Sequence, residues 1–122
     1  MSRILLVEDD QLLSSILSSH LKSSGFEVEC AFDGDAAVTR AIENHFDVVL
    51  LDILLPQKDG FEVLATLKSM SATKQIPVII ISNLSDDTTV RRMMNDGAAS
   101  FLVKAHVTPD LVRDEIKKVL GA

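Results

Sequence analysis

Short apolar runs alternate with segments of helical period along the whole chain. Ile4-Leu5-Leu6-Val7, Val48-Val49-Leu50-Leu51 and Val78-Ile79-Ile80-Ile81 are continuous apolar runs, the pattern of strands covered by helices on both faces. They predict strands over Arg3–Val7, Asp47–Leu51 and Ile76–Ser82, and a shorter run predicts another over Ser100–Val103. Glu27–Ala31 is different. There Glu27 and Glu29 alternate with Phe26, Val28 and Cys30, which predicts an edge strand with one wetter face. The intervening segments carry apolar residues at helical spacing. These are Leu13, Ile16, Leu17, His20 and Leu21; Ala37, Val38, Ala41 and Ile42; Val63, Leu64 and Leu67; Val90, Met93 and Met94; and Val112, Ile116, Val119 and Leu120. Gly25 and Gly97 stand where helix ends are expected. Asp59-Gly60 marks a turn before the third helix, and Pro109 fits the first turn of the last.

Five strand–helix units predict an α/β fold, a doubly wound parallel sheet of five strands with helices on both faces. Right-handed crossovers restrict its topology. The chain of 122 residues suits one domain, residues 1–122. In such sheets ligands bind beyond the carboxyl ends of the strands.

Composition excludes several function classes. The net charge is −6, which argues against direct nucleic-acid binding by this domain, since phosphate backbones need a basic surface. Cys30 is the one cysteine, so no internal disulfide forms, and a small core residue fits its place. No apolar run approaches the ~20 residues of a membrane-crossing helix. Ile4–Val7 is too short for a signal peptide and runs directly into acids. A cytoplasmic location fits these features.

Chemistry-bearing residues stand at the predicted carboxyl ends of the strands. Glu8, Asp9 and Asp10 follow the first, Asp52 the third, Ser82 and Asn83 close the fourth, and Lys104 follows the fifth. In a parallel sheet those ends share one edge. Two carboxylates ~5 Å apart repel by about 3 kcal/mol at an effective dielectric near 20. A hard divalent cation relieves that repulsion, and Mg²⁺ suits a site that also handles phosphate. Asp10 is either a third acid of this cluster or the cap of the first helix. Asp52 would be a nucleophile toward phosphorus, with Ser82 and Lys104 offering a hydroxyl and a positive charge to phosphoryl oxygens.

Ile4-Leu5-Leu6-Val7-Glu8-Asp9-Asp10, Asp52-Ile53-Leu54-Leu55-Pro56, Asp59-Gly60-Phe61-Glu62-Val63-Leu64, Ile81-Ser82 and Gly97-Ala98 leading to Phe101-Leu102-Val103-Lys104 together resemble the receiver domains of bacterial response regulators, which are flavodoxin-like. The resemblance covers essentially the whole chain. It implies strand order 2-1-3-4-5, Asp52 as phosphoacceptor, and Mg²⁺ held by Asp9, Asp52, the Leu54 backbone carbonyl and, through water, Glu8. It implies Ser82 as the switch hydroxyl and Phe101 as the aromatic coupled to it. The donor would be a histidine kinase or histidine phosphotransfer protein. Leu54 and Leu84 match the positions that flank the path of attacking water.

Two residues depart from the family pattern. Asn83 replaces a small residue and is expected to crowd the pocket entrance. Ala105 replaces the proline after the lysine, whose peptide bond is commonly cis in the family. A cis bond before a non-proline residue costs about 2.5–4 kcal/mol, so a trans Lys104–Ala105 bond is expected, with Lys104 still reaching Asp52.

The alternatives are a degenerate receiver acting as a phosphorylation-independent binding module, and a phosphatase with an aspartyl nucleophile. The intact set of Glu8, Asp9, Asp52, Ser82 and Lys104 opposes the first. Leu54, where such phosphatases carry a second acid, opposes the second, so no enzyme acting on a separate substrate is expected. His20 and His45, on or near helices, read as ordinary surface or partly packed residues; His106 lies in the loop after Lys104, close to the pocket, with no feature of the sequence that gives it a role there. Arg91, Arg92, Asp96, Asp114, Lys117 and Lys118 put mixed charge on the last two helices. That suits either a weak dimer through the fourth helix, fifth strand and fifth helix, or a solvated surface. The downstream effector is not legible.

Overall fold

Residues 2–121 are described by the computed structural model. The strands are β1 (Arg3–Val7), β2 (Glu27–Ala31), β3 (Val48–Leu51), β4 (Val78–Ser82) and β5 (Ser100–Val103). The helices are α1 (Gln11–Ser23), α2 (Gly34–Glu43), α3 (Gly60–Ser69), α4 (Asp87–Asn95) and α5 (Pro109–Val119), with a 3₁₀ turn over Lys104–His106. All strand pairs are parallel, in the order β2-β1-β3-β4-β5, as the resemblance implied.

Two strands begin with their apolar runs, later than the predicted starts at Asp47 and Ile76. The Asp47 side chain, rather than a neighbouring strand, accepts the Arg3 backbone N–H at 2.7 Å. Ile76 closes a turn on Thr73 at 3.0 Å, and Pro77 has no N–H to donate. The regular strands start at Val48 and Val78, with only fringe bonds before them, from the Asp47 N–H to the Arg3 carbonyl at 2.8 Å and from the Val49 N–H to the Pro77 carbonyl at 3.0 Å.

The continuous apolar strands feed two cores. Leu5, Val7, Val49, Leu51, Val78 and Ile80 face α2, α3 and α4, packing on Ala37, Ala41, Val63, Leu64, Leu67 and Met93. Ile4, Leu6, Val48, Leu50, Ile79 and Ile81 face α1 and α5, packing on Leu17, Leu21, Val112 and Ile116. Alternate residues thus serve opposite faces, as a pleated strand requires. Cys30 is half-buried against the second core. The expected α1 stripe is rotated: Ile16 is 49% exposed, while Ser14 and Ser18 are buried beside Leu17 and Leu21. α4 is the most shallowly seated helix of the first core. Its buried residues are Thr89 and Met93, against Gly60, Val63, Leu64 and Leu67 for α3.

Caps fix where the helices begin. Asp33, Asp59, Asp86 and Thr108 each accept a backbone N–H from the first turn of their helix. Such caps are worth roughly 1 kcal/mol each.

Candidate functional site

Register decides which residues meet at the carboxyl edge of the sheet. Val7 is level with Leu51 across β1 and β3, so Glu8 and Asp52 leave the sheet side by side. The Asp52 N–H donates to the Val7 carbonyl at 3.1 Å, and the Glu8 N–H to that of Ala31 at 3.1 Å. Both ladders therefore run one residue past the strands and hold the two acids rigidly. Ser82 is level with Val103 across β4 and β5, which places Lys104 at the same edge.

The acids form one cluster. Carboxylate oxygens of Glu8, Asp9 and Asp52 all lie within 4.8 Å of one another. Glu8 and Asp52 are buried and Asp9 is exposed. The Lys104 ammonium bridges the two buried acids, 2.6 Å from Glu8 Oε1 and 2.8 Å from Asp52 Oδ2. Burial alone lowers the Lys104 pKa, but hydrogen bonds to Asp52 and Glu8 outweigh it and hold the ammonium above its ordinary value. Burial also pushes the Glu8 carboxyl up, against hydrogen bonds from Lys104 and the Asp10 N–H. One ammonium does not balance three carboxylates. The cluster retains excess negative charge and an all-oxygen donor set, the chemistry that fits a hard cation such as Mg²⁺.

The Asp10 alternatives resolve in favour of the cap. Its Oδ1 accepts the N–H groups of Leu12 and Leu13 at 3.0 and 3.2 Å. Ser82 is fully buried, and its Oγ accepts the Leu84 N–H at 3.1 Å. Phe101 is level with Ile80 across the β4–β5 pair and packs, half-buried, against the core beneath α4. Leu54 directs its N–H toward Asp52 Oδ1 at 3.4 Å and leaves its side chain 60% exposed. Leu84 is 36% exposed.

The Lys104–Ala105 peptide bond is trans, as expected, and Lys104 reaches Asp52. Asn83 directs its Oδ1 to the Ala105 N–H at 2.8 Å. His106 is exposed in the 3₁₀ turn. His45 Nε2 lies 3.4 Å from Asp47, and His20 Nε2 lies 2.8 Å from Asp110, tying α1 to α5.

Sequence reasoning missed how the segment after Asp52 is fastened. Gly60 donates its N–H to the Ile53 carbonyl at 2.7 Å. A Cβ at Gly60 would stand 2.5 Å from both the Asp52 carbonyl oxygen and Ile53 Cα. A Cβ at Gly34 would collide with the Lys58 carbonyl. Both close approaches exist only because these residues lack a side chain. The Asp-Gly pairs at 33–34 and 59–60 were the available signal, and they read equally well as ordinary turns.

The sequence model of the response regulator receiver domain family matches residues 4–117, and the chain belongs to that family. It is a receiver domain of two-component signalling with an acidic pocket at the carboxyl edge of its sheet. The gliding motility regulatory protein of Myxococcus xanthus is 34% identical over 117 residues, covering 96% of this chain and 15% of that protein. The transcriptional regulatory protein CrdR of Helicobacter pylori is 36% identical over 102 residues, 84% of this chain and 47% of that protein. The crystal structure of the Vibrio cholerae chemotaxis protein CheY4 superposes with a TM-score of 0.91 at 28% identity, over 98% of both chains. The chain spans about half the length of the curated relatives it matches, or less. Among the described residues no helix is long and apolar enough to cross a membrane.

Proposed function

We propose that this domain is a phosphorylation-dependent signalling switch that takes a phosphoryl group onto Asp52. The supporting observation is that Glu8, Asp52 and Lys104 converge from the ends of three strands, with both carboxylates within hydrogen-bond distance of the Lys104 ammonium. An Asp52 carboxylate oxygen attacks the phosphorus of a phosphohistidine on a histidine kinase or histidine phosphotransfer protein. A new P–O bond forms, the P–N bond breaks, and the imidazole leaves with the electron pair and takes up a proton. Glu8, Asp9, Asp52 and the Leu54 carbonyl would hold Mg²⁺, which when bound neutralises the anions brought together in the transfer.

The chain's own groups do the rest. Burial keeps water from competing with the Asp52 oxygen. The Lys104 ammonium exchanges a carboxylate oxygen for a phosphoryl oxygen and stabilises the charge there. The Ser82 hydroxyl turns to another phosphoryl oxygen, and Phe101 moves into the space it vacates. The face formed by α4, β5 and α5 changes with it and is read by an effector, or pairs weakly with a second copy. The partners are then a cytoplasmic kinase or phosphotransfer protein on the input side.

Intact mass after incubation with acetyl phosphate tests this reading. One added phosphoryl group is expected with Mg²⁺, and none after chelation or in Asp52→Asn. Undiminished labelling of Asp52→Asn removes Asp52 from the role. An unlabelled wild-type chain favours a phosphorylation-independent binding module instead.

A further inference from the structure

We propose that Asn83 is a positioning residue for Lys104, acting through the hydrogen bond from the Ala105 N–H to Asn83 Oδ1. The inference rests on the reading of Asp52 as phosphoacceptor and of Lys104 as the cation that meets the phosphoryl group.

The bond closes a gap that the strands leave open. Pairing of β4 with β5 ends at Ser82 and Val103, one residue short of both Asn83 and Lys104. Beyond that point Lys104 opens a single 3₁₀ turn, Lys104–His106, which has no side-chain cap of its own. The first N–H groups of a helical turn have no partner inside it. Asn83 supplies one for Ala105 at 2.8 Å. Its amide orientation is unambiguous, because only the carbonyl oxygen of an asparagine accepts from an N–H.

The Lys104 backbone is thereby held on both sides, by the sheet before it and by Asn83 after it. Its ammonium, at the end of a flexible four-carbon stem, is otherwise fixed, among the described residues, by Glu8 and Asp52. Those contacts must loosen when a phosphoryl group arrives. The Asn83 bond does not involve the reacting groups and persists through that exchange. It keeps Lys104 aimed while its ammonium changes partners, and it joins the residue after Ser82 to the residue after Lys104. The two departures from the family pattern are in this way one device. An N–H exists at position 105 because the residue is not proline, and an acceptor exists at position 83 because the residue is not small.

Both residues are exposed, so their substitution opens no cavity in the core. Asn83→Ala is expected to speed hydrogen exchange of the Ala105 amide, read by NMR. It should also slow acetyl phosphate labelling of Asp52 about threefold, the scale of one exposed neutral hydrogen bond. In the Ala105→Pro background, which has no N–H to donate, Asn83→Ala should slow labelling no further. A steric or general structural role of Asn83 would act alike in both backgrounds, and that result overturns the proposal. Unchanged exchange of the Ala105 amide in Asn83→Ala overturns it as well, and that measurement stands even if Ala105→Pro folds poorly. A wild-type chain that takes no label sinks the Asp52 reading instead, and amide exchange then decides the Asn83 bond alone.

Discussion

Lys104 Nζ lies 2.8 Å from Asp52 Oδ2, although 52 residues separate the two in the chain. The ammonium stands where the acids would otherwise repel one another, and it therefore competes with any divalent cation for the same oxygens. Lys104→Met removes the competitor. The variant is expected to bind Mg²⁺ about tenfold more tightly by calorimetry, given the charge repulsion removed at this range, while labelling more slowly. Weaker Mg²⁺ binding in the variant would show that Lys104 assembles the site rather than competing for it.

Glu8 predicts a pH dependence in metal-free buffer. Burial raises its carboxyl above the ordinary value, so the folded chain binds this proton more tightly than the unfolded chain. The stabilisation from the protonated group is present below the unfolded pKa and is lost as pH rises through the raised folded value. Urea midpoints of wild type and Glu8→Gln, compared from acid to neutral pH with a chelator present, should shift in favour of the variant as pH rises. A shift in the opposite sense would mean that the Lys104 contact outweighs burial.

Gly60→Ala tests the fastening of the Asp52 segment. The new methyl meets backbone at 2.5 Å on two sides, and backbone does not rotate away. A loss of about 2–4 kcal/mol in chemical denaturation is expected, on the scale of overpacking and displaced backbone. Labelling should fall in the fraction that remains folded. A loss below about 0.5 kcal/mol, the range of neutral surface changes, would show that α3 yields easily.

Leu54 and Leu84 predict a long-lived aspartyl phosphate. Neither side chain can hydrogen-bond an attacking water, and both are partly exposed next to the pocket residues. Self-dephosphorylation over many minutes or longer is expected, measured by phosphate release. Leu54→Asn should accelerate it severalfold by offering a group that orients water. Decay of the wild type within seconds would deny the leucines a shielding role.

Beryllofluoride, a mimic of the bound phosphoryl group, should perturb NMR shifts of Ser82, Phe101 and the α4–β5–α5 face together. This would be a population shift between two packings, biased by contacts that only the loaded form makes. Changes confined to residues touching the ligand would count against coupled switching.

The acidic cluster was legible because its residues directly follow long apolar runs, and a parallel sheet delivers such residues to one edge. The strand set followed from the same alternation, whereas the strand order came from the resemblance to receiver domains. The α1 stripe was misread because apolar character and burial part company there. Ser14 and Ser18 are small enough to lie buried with Leu17 and Leu21, while Ile16 points outward. Strand starts were placed too early, at Asp47 and Ile76, because the Asp47 side chain takes the Arg3 N–H and Ile76 closes a turn ahead of Pro77, and neither feature alters the apolar count. The Asn83–Ala105 bond was invisible for another reason. Each residue was noticed alone, but only the β4–β5 register brings them together.

Met93 gives α4 a particular mechanical character. It is the one apolar side chain that this helix buries completely, and a thioether chain is unbranched, with several torsions that adapt to irregular space. A helix pinned by such a residue can slide and roll by a fraction of a turn while the same sulfur and methylenes stay out of water. In the proposed switch, a hydroxyl changing partners at Ser82 would therefore need to supply only a small bias to reposition this helix.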